Sequence, residues 1–523
     1  MTTDLEIMQE FSNLREWLEK RAEQYHDKTF LFFINEESGR KENISYAAFD
    51  KLINKTANAL VHLGAKSNDI VGILLPNCPE FYYTFYGAIK IGALACPINA
   101  LLKPPEVQYQ LSNADIRIVV TVSNYLPMIE SIKQNLPSLK HVVVVDKQTQ
   151  GALYYNNLIE NADEKLLPLQ IDSNQPAAIF YTSGTTGNPK GVLLSHRNLL
   201  NHARQLVKKV ELTSKDRGII MMPLFFTYSI NNITPSLLDA GASLVLLDRF
   251  SPKAFWDIIL EYKVTALYLV GTHVSILLDL PLPFEKERLS FIRYVFAALL
   301  SIPVIERFEN KFGLSFIDAY GLSEACACSL TNPLQKEKRK KGSVGILNEG
   351  MEAKIVDDNF NPLPPGQVGE LILKGPTVML GYFKDPKATE ETIRDGWLKT
   401  GDNLSMDEDG YFYFVDRKKD MIKRGGMNIY AGEVEKALYA FPKTRDAAVI
   451  GTPHKKYVEE VVAFVTLRDG ESATEEEIVN FCKERLADYK IPRKVIFKPN
   501  LPLTASGKIH KPTLREEAAA LPW

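Results

Sequence analysis

Long hydrophobic runs are missing from this 523-residue chain. None approaches the ~18–20 consecutive apolar residues that a membrane-spanning helix requires, so no transmembrane segment is expected. Cysteine is scarce. The five present (Cys78, Cys96, Cys326, Cys328 and Cys482) are odd in number and lack paired metal-ligand spacing. That argues against a disulfide framework or a zinc site and favours a reducing compartment. Cys326-x-Cys328 lies among apolar neighbours and reads as a reduced core pair. An excess of charge of one sign is also absent: 62 Lys and Arg face 64 Asp and Glu, a net charge of −2. Nothing electrostatic therefore favours nucleic acid as a partner. The N-terminal Met1-Thr-Thr-Asp-Leu-Glu6 has no basic stretch leading into an apolar one, so no secretory signal is read there. A cytoplasmic protein is expected.

What is present is an ordinary globular composition, with 45% apolar and 24% charged residues. The length exceeds what one core organises, so two or more domains are expected. Residues 14–25 read as an amphipathic helix. Strand-like runs follow at 71–75, 95–98, 116–120, 142–145, 243–247, 266–270 and 293–297, with helical runs at 81–91, 254–263 and 304–312. Uninterrupted apolar strands separated by helices argue parallel sheets covered on both faces. Near residue 350 the rhythm changes. Runs at 353–356, 370–373 and 411–415, separated by Pro/Gly turns, predict an antiparallel sheet or small barrel. Asp416-Arg-Lys-Lys-Asp420 is charged and reads as a linker, dividing the chain into residues 1–416 and 417–523. Beyond it, helix at 433–441, strands at 447–450 and 461–467, and a capping box at Thr474-x-x-Glu477 describe a small mixed domain.

The chain is organised around Tyr181-Thr-Ser-Gly-Thr-Thr-Gly-Asn-Pro-Lys-Gly191. A short strand at 177–181 precedes it, and a helical run at 196–210 comes after. Thr182, Ser183, Gly184, Thr185, Thr186, Gly187 and Lys190 supply backbone N–H groups, hydroxyls and an ammonium, which together suit an oxyanion such as a triphosphate. It is not a Walker loop, because Lys190 lies between Pro189 and Gly191 rather than before Ser or Thr. A plain polar surface loop is the competing reading.

Three further polar clusters and Arg417 stand out. In Ala319-Tyr-Gly-Leu-Ser-Glu-Ala325, Glu324 is a carboxylate suited to Mg2+ against a phosphate, and Tyr320 is suited to stacking on a base; a capped turn is the alternative. In Trp397-Leu-Lys-Thr-Gly-Asp402, Asp402 fits either an Asx turn or a ribose diol, and Arg417 lies where it can reach the same nucleotide. Pro502-Leu-Thr-Ala-Ser-Gly-Lys-Ile509 places Lys508 on a glycine loop, where a merely solvated lysine is the ordinary expectation.

Taken together these motifs resemble the adenylate-forming superfamily of acyl- and aryl-CoA synthetases, firefly-type luciferases and peptide-synthetase adenylation domains. The resemblance covers most of the chain, in order. It implies an α/β fold: a large N-terminal domain of two α/β lobes plus a β-barrel, and a small mobile C-terminal α+β domain. It further implies that Thr182–Lys190 grips pyrophosphate, Tyr320 stacks on adenine, Ser323 holds the position of a common Thr, and Glu324 holds Mg2+. Asp402 and Arg417 would bind the ribose, Lys419 would be the hinge, Lys508 the adenylation lysine, and Gly425-Gly426 part of the pantetheine tunnel. The implied reaction uses ATP, Mg2+ and coenzyme A to convert a carboxylic acid to an acyl adenylate and then to a thioester.

Departures from the family pattern fall in the acid pocket. Phe226 stands in Met222-Pro-Leu-Phe-Phe-Thr-Tyr228 where His is common, and a gating or pocket role is expected for Phe226 and Tyr228. Phe296-Ala-Ala-Leu-Leu300 lacks the usual Gly and Pro, so Phe296 and Ala297 are expected to reshape the cavity. Ala431 replaces a frequent Pro. The basic run Lys336–Lys341 reads as a solvated loop. Residues 221–236 contain no Asp or Glu, which disfavours an amino-acid substrate whose ammonium would be buried unpaired. A hydrophobic acid is therefore expected, with CoA as acceptor. The alternatives are a carrier protein's phosphopantetheine in trans, luciferase-like oxygenation, and a nucleotide-binding scaffold without catalysis.

Overall fold

The computed structural model describes residues 10–182, 189–298, 300, 302–424, 427–454, 458–504 and 508–519. Two large sheets form the body. One is nine-stranded, with Phe316–Gly321, Tyr294–Ala298, Ala266–Tyr268, Arg217–Ile220, Ser243–Leu247 and Thr29–Ile34 as consecutive parallel neighbours. The other is eight-stranded around Pro176–Thr182, Leu94–Pro97, Ile70–Leu74, Ile118–Thr121 and His141–Val144. Strands such as Ile70–Leu74 and Ser243–Leu247 are buried along their whole length because helices cover both faces. One core of buried side chains is shared between the two sheets, and each sheet has a second apolar layer on its far face. The expected mixed α/β architecture is observed.

A third, five-stranded sheet is antiparallel and contains Glu352–Val356, Gly369–Lys374, Trp397–Met406 and Phe412–Arg417. A fourth sheet begins at Ile422–Arg424 and carries its own cores on its two faces. The run read as a linker is partly built into the third sheet. Asp416 and Arg417 end a strand, Asp416 is buried, and Lys418–Asp420 form a single tight turn. The basic run after Lys336 is also anchored: Lys336 pairs with Glu309, Lys340 with Asp407 and Asp409, and Lys341 with Glu306.

The helix expected at 196–210 is observed as His196–Lys209. A strand the sequence did not suggest, Lys190–Ser195, comes before it and runs back antiparallel to Pro176–Thr182, with Lys190 opposite Thr182. The helix starts only at His196, where Ser195 accepts from the Asn198 N–H and Asn198 reciprocates. Pro176–Thr182 and Lys190–Ser195 are therefore the arms of a hairpin, and the helix N-terminus is used up by its own cap. Residues 183–188 of the Gly-rich segment lie outside the described residues.

The helix Leu14–Tyr25 is fastened by a buried carboxylate. Asp239 accepts from Trp17 Nε1 (3.0 Å) and Arg21 Nη2 (2.9 Å) and lies 3.1 Å from Arg204 Nε. Removing the carboxylate takes away the buried partner of the Arg21 guanidinium and leaves it only the exposed Glu10 and the Gln24 amide. Asp239→Ala is expected to cost about 3–5 kcal/mol, measured as a lower urea midpoint with unchanged slope.

Candidate active site

Four ionisable groups from distant parts of the chain converge at the end of the nine-stranded sheet. The strand Phe316–Gly321 delivers Tyr320, which is 2% exposed, against Phe414 with ring centroids 6.1 Å apart. Its hydroxyl donates to Asp402 Oδ2 at 2.6 Å, and burial pushes the phenol far above its ordinary range. Asp402 lies directly opposite Arg417 across paired strands, with Nε 3.9 Å from Oδ1. After Tyr320 the backbone packs so closely that a Cβ on Gly321 would lie 1.6 Å from the Ala327 carbonyl oxygen. The next turn carries Glu324 and closes at Cys326, a non-glycine residue with φ of +73°. Such a conformation is held by its surroundings. Cys326 and Cys328 are buried thiols, as the sequence suggested.

Glu324 accepts a hydrogen bond from the Tyr382 hydroxyl at 3.0 Å. Burial raises its carboxyl above the ordinary range; the Tyr382 bond and Arg417 oppose this, while Asp402 adds to it. Lys190 sits with its ammonium 4.9 Å from the Tyr382 ring centroid. Tyr382 therefore stands between the lysine of the hairpin and the carboxylate of the turn. The segment holding Tyr382 is strapped in place at both sides. Asn198 donates to the Pro376 and Val378 carbonyls, Met379 N–H to the Glu324 carbonyl, and Phe383 N–H to Gly191. Tyr382 was not singled out in the sequence. The only signal was its place beside Gly381 in a polar-poor stretch.

Lys508 completes the group. It is exposed by surface area yet crowded by surrounding protein, which pushes its ammonium below the lysine range. Arg417 pushes it the same way and Asp402 opposes, so Lys508 feels both residues of the Asp402–Arg417 pair. Its loop is closed by hydrogen bonds between Thr504 and Lys508 in both directions. Lys419 falls within the turn Lys418–Asp420. Beside it, Lys418 pairs with Asp358 (2.7 Å) and Glu370 (3.1 Å), and the other Glu370 oxygen accepts from the Gly401 N–H at 3.1 Å. Glu370, also unforeseen, thus joins the turn holding Asp402 to the Lys418–Asp420 turn. Ser183, Gly184, Thr185, Thr186, Gly187, Gly425 and Gly426 lie outside the described residues.

The residues expected to line an acid pocket lie next to this group. A short π-helix at Tyr228–Ile233 follows Phe226, and the Thr227 hydroxyl is 3.2 Å from that of Ser323. Phe226 is half-buried against Phe225, and the Tyr228 hydroxyl donates to the Phe296 carbonyl at 3.2 Å. Phe296 is fully buried between Tyr228 and Tyr268. Strand alternation sends Ala297 to the opposite face, into the layer with Leu267 and Leu269.

A lone carboxylate beside a lysine and a phenol is a specific kind of donor set. Among the described residues no three His, Cys, Asp or Glu side chains gather to hold a metal. Glu324 instead suits a hard cation that keeps its waters and takes one or two carboxylates plus phosphate oxygens, as Mg2+ does. A family model described as AMP-binding enzyme matches residues 18–383, and one described as AMP-binding enzyme C-terminal domain matches 433–508. The chain belongs to the AMP-binding enzyme family. This AMP-binding enzyme is 34% identical over 512 residues to a crotonobetaine/carnitine–CoA ligase of Salmonella typhi, covering 96% of this chain and 99% of that one. Its fold matches the anthranilate CoA ligase AuaEII in complex with anthranoyl-AMP, with TM-score 0.89, 31% identity, and 97% and 98% of the two chains covered. ATP-bound MatB from Rhodopseudomonas palustris also matches at TM-score 0.89, with 28% identity over 97% and 99% of the chains.

Proposed function

We propose that this enzyme is an AMP-forming acid–CoA ligase: it activates a carboxylic acid with ATP and transfers the acyl group to coenzyme A. The observation that carries the reading is the convergence of Glu324, Asp402, Arg417 and Lys508, drawn from two sheets and a C-terminal loop, around one point. In the first step the substrate carboxylate oxygen attacks the α-phosphorus of ATP. A P–O bond forms, the bond to the β-phosphate bridge breaks, and pyrophosphate leaves. Charge is redistributed over phosphate oxygens, so positioned cations and N–H groups supply the rate. Lys508 contributes its ammonium at the reacting phosphate. Asp402 and Arg417 hold the ribose hydroxyls, and Tyr320 with Phe414 forms the wall on which adenine stacks. Thr182 to Lys190, with Ser183, Gly184, Thr185, Thr186 and Gly187, grips the departing pyrophosphate. Glu324 holds Mg2+, which supplies charge neutralisation when bound.

In the second step a thiol sulfur attacks the carbonyl carbon of the adenylate, the mixed-anhydride C–O bond breaks, and AMP leaves. Lys508 must withdraw for the thiol to approach. The small domain, from 417 onward, turns about Lys419 and brings Gly425-Gly426 to line the pantetheine path. Support for the joint's position comes from the third sheet ending at Arg417 and the fourth starting at Ile422. A cytoplasmic location is proposed from the five free, buried cysteines, which suit a reducing compartment. Among the described residues no helix is long and apolar enough to cross a membrane. The acid enters beside Phe226, Tyr228 and Phe296, whose rings give it an apolar body to lie against.

Purified protein with Mg-ATP and a panel of aliphatic and aromatic acids is expected to release pyrophosphate and, with CoA, to form a thioester. Adenylate that CoA cannot discharge would transfer the role of acceptor to a carrier protein's phosphopantetheine. Absence of pyrophosphate with every acid would overturn the reading.

A further inference from the structure

The π-helix that carries Tyr228, beside the proposed acid site, is not apolar throughout. Ser229, Asn231 and Asn232 on the π-helix and His202 on the helix His196–Lys209 are all 0% exposed. Each keeps a polar atom without a partner: Ser229 Oγ, Asn231 Oδ1, Asn232 Nδ2 and His202 Nδ1. Native proteins satisfy nearly all such atoms, and each exception asks for a water or a ligand. Three lie within one turn of the π-helix, and His202 meets the last of them. His202 Nε2 lies 2.8 Å from Asn232 Oδ1, and Asn231 Nδ2 donates to the Cys326 carbonyl at 3.3 Å, two residues beyond Glu324. Thr227, which precedes the π-helix, and Asn231 within it both meet the Ser323–Cys326 turn. π-Helical turns interrupt regular structure mostly at functional sites.

We propose that the acid this enzyme activates carries a neutral hydrogen-bonding group, of the hydroxyl or carboxamide class, at the end remote from its carboxylate, received by Ser229, Asn231, Asn232 and His202. The inference rests on the acid site proposed above and deepens it. Donor and acceptor capacity are both on offer. With His202 Nε2–H directed at Asn232 Oδ1, His202 Nδ1 and Asn231 Oδ1 accept, the Asn232 amide donates, and Ser229 does either. The π-helix itself offers a charged end group no counter-ion. No Asp, Glu, Lys or Arg occurs from Met221 to Leu238. Arg204, on the neighbouring helix, is turned to Glu10 and Asp239, and burial holds His202 neutral with a pKa lowered to about 4. Burying an unpaired carboxylate or ammonium there would be costly, whereas a buried polar wall rejects a ligand lacking the matching group because its own atoms stay unpaired.

The test uses the full chain with Mg-ATP and sets of acids sharing one skeleton, aliphatic and benzoate-type in several lengths. The end groups would be hydroxyl, carboxamide, methyl, carboxylate and trimethylammonium, ranked by kcat/KM for pyrophosphate release. At the preferred length the hydroxyl- or carboxamide-ended acid is expected to exceed its methyl- and charge-ended partners by about 100-fold or more. Asn232→Leu is expected to shift that ranking toward the methyl-ended acid. Ser229→Ala, a smaller change, shifts it the same way if the leucine variant does not fold. A methyl- or charge-ended acid turned over as fast or faster by the unaltered protein would overturn the inference, because buried water would then explain the polar atoms, and the ligase reading would stand. No pyrophosphate with any acid would instead remove the ligase reading and this inference with it.

Discussion

Lys508→Ala is expected to lower adenylate formation by about 10²–10³-fold, the scale on which single positioned donors act in charged transition states. Pre-formed acyl adenylate, supplied to the same variant with CoA, is expected to give thioester at a rate close to that of the unaltered protein. The split follows from the proposed cycle: Lys508 shares its surroundings with Asp402 and Arg417 in the arrangement described here, and the proposed thiol step takes it elsewhere. Crowding depresses its ammonium, so the first step should fall as pH rises, beginning below the range where an ordinary lysine titrates. The variant should lack that alkaline limb. Equal losses in both steps would show that the lysine acts through folding rather than at the phosphate.

Glu324→Gln is expected to have an effect of similar size but a different signature. The amide oxygen can still accept from Tyr382, so the turn keeps its shape while the charge is lost. Turnover should drop about 10²–10³-fold and should demand more Mg2+. The unaltered carboxyl titrates above the usual glutamate range because burial outweighs the Tyr382 bond. A group that must be ionised to work loses function as pH falls through a raised pKa, so activity should decline on the acid side earlier than for an exposed glutamate. The glutamine variant should be flat across that interval. Unchanged activity and unchanged Mg2+ dependence would remove Glu324 from the metal role.

Much of the fold was legible because period and length distinguish buried strands from helices. The helix at 14–25 and the capping box at Thr474 and Glu477 match residue for residue. The miss at Lys190–Ser195 has a clear cause. Gly191 and a lysine at the strand's start look like loop chemistry, and the four residues that follow are too short a run to assert a strand against a known helix beyond. What pairs them is Pro176–Thr182 across a hairpin, a tertiary fact. Asp416 was misjudged for a related reason: charge suggested a linker, while in the folded chain its carboxylate accepts from the Arg417 and Gly432 N–H groups. Motifs named the clusters at Tyr320, Glu324, Asp402 and Lys508. Their neighbours Tyr382 and Glu370 belong to no local pattern, since each matters only through a side chain brought from elsewhere.

Glu370 carries a consequence for the energetics of the cycle. One carboxylate serves two masters, the Gly401 N–H beside Asp402 and the ammonium of Lys418 beside the proposed hinge. In the proposed turn of the small domain about Lys419, any change in the second contact is felt by the first through the same carboxylate. Linkage then runs in both directions: nucleotide that tightens the Asp402 turn biases the joint by the same free energy with which the joint changes nucleotide affinity. Release of AMP and return of the small domain are, on this wiring, coupled events that share one equilibrium.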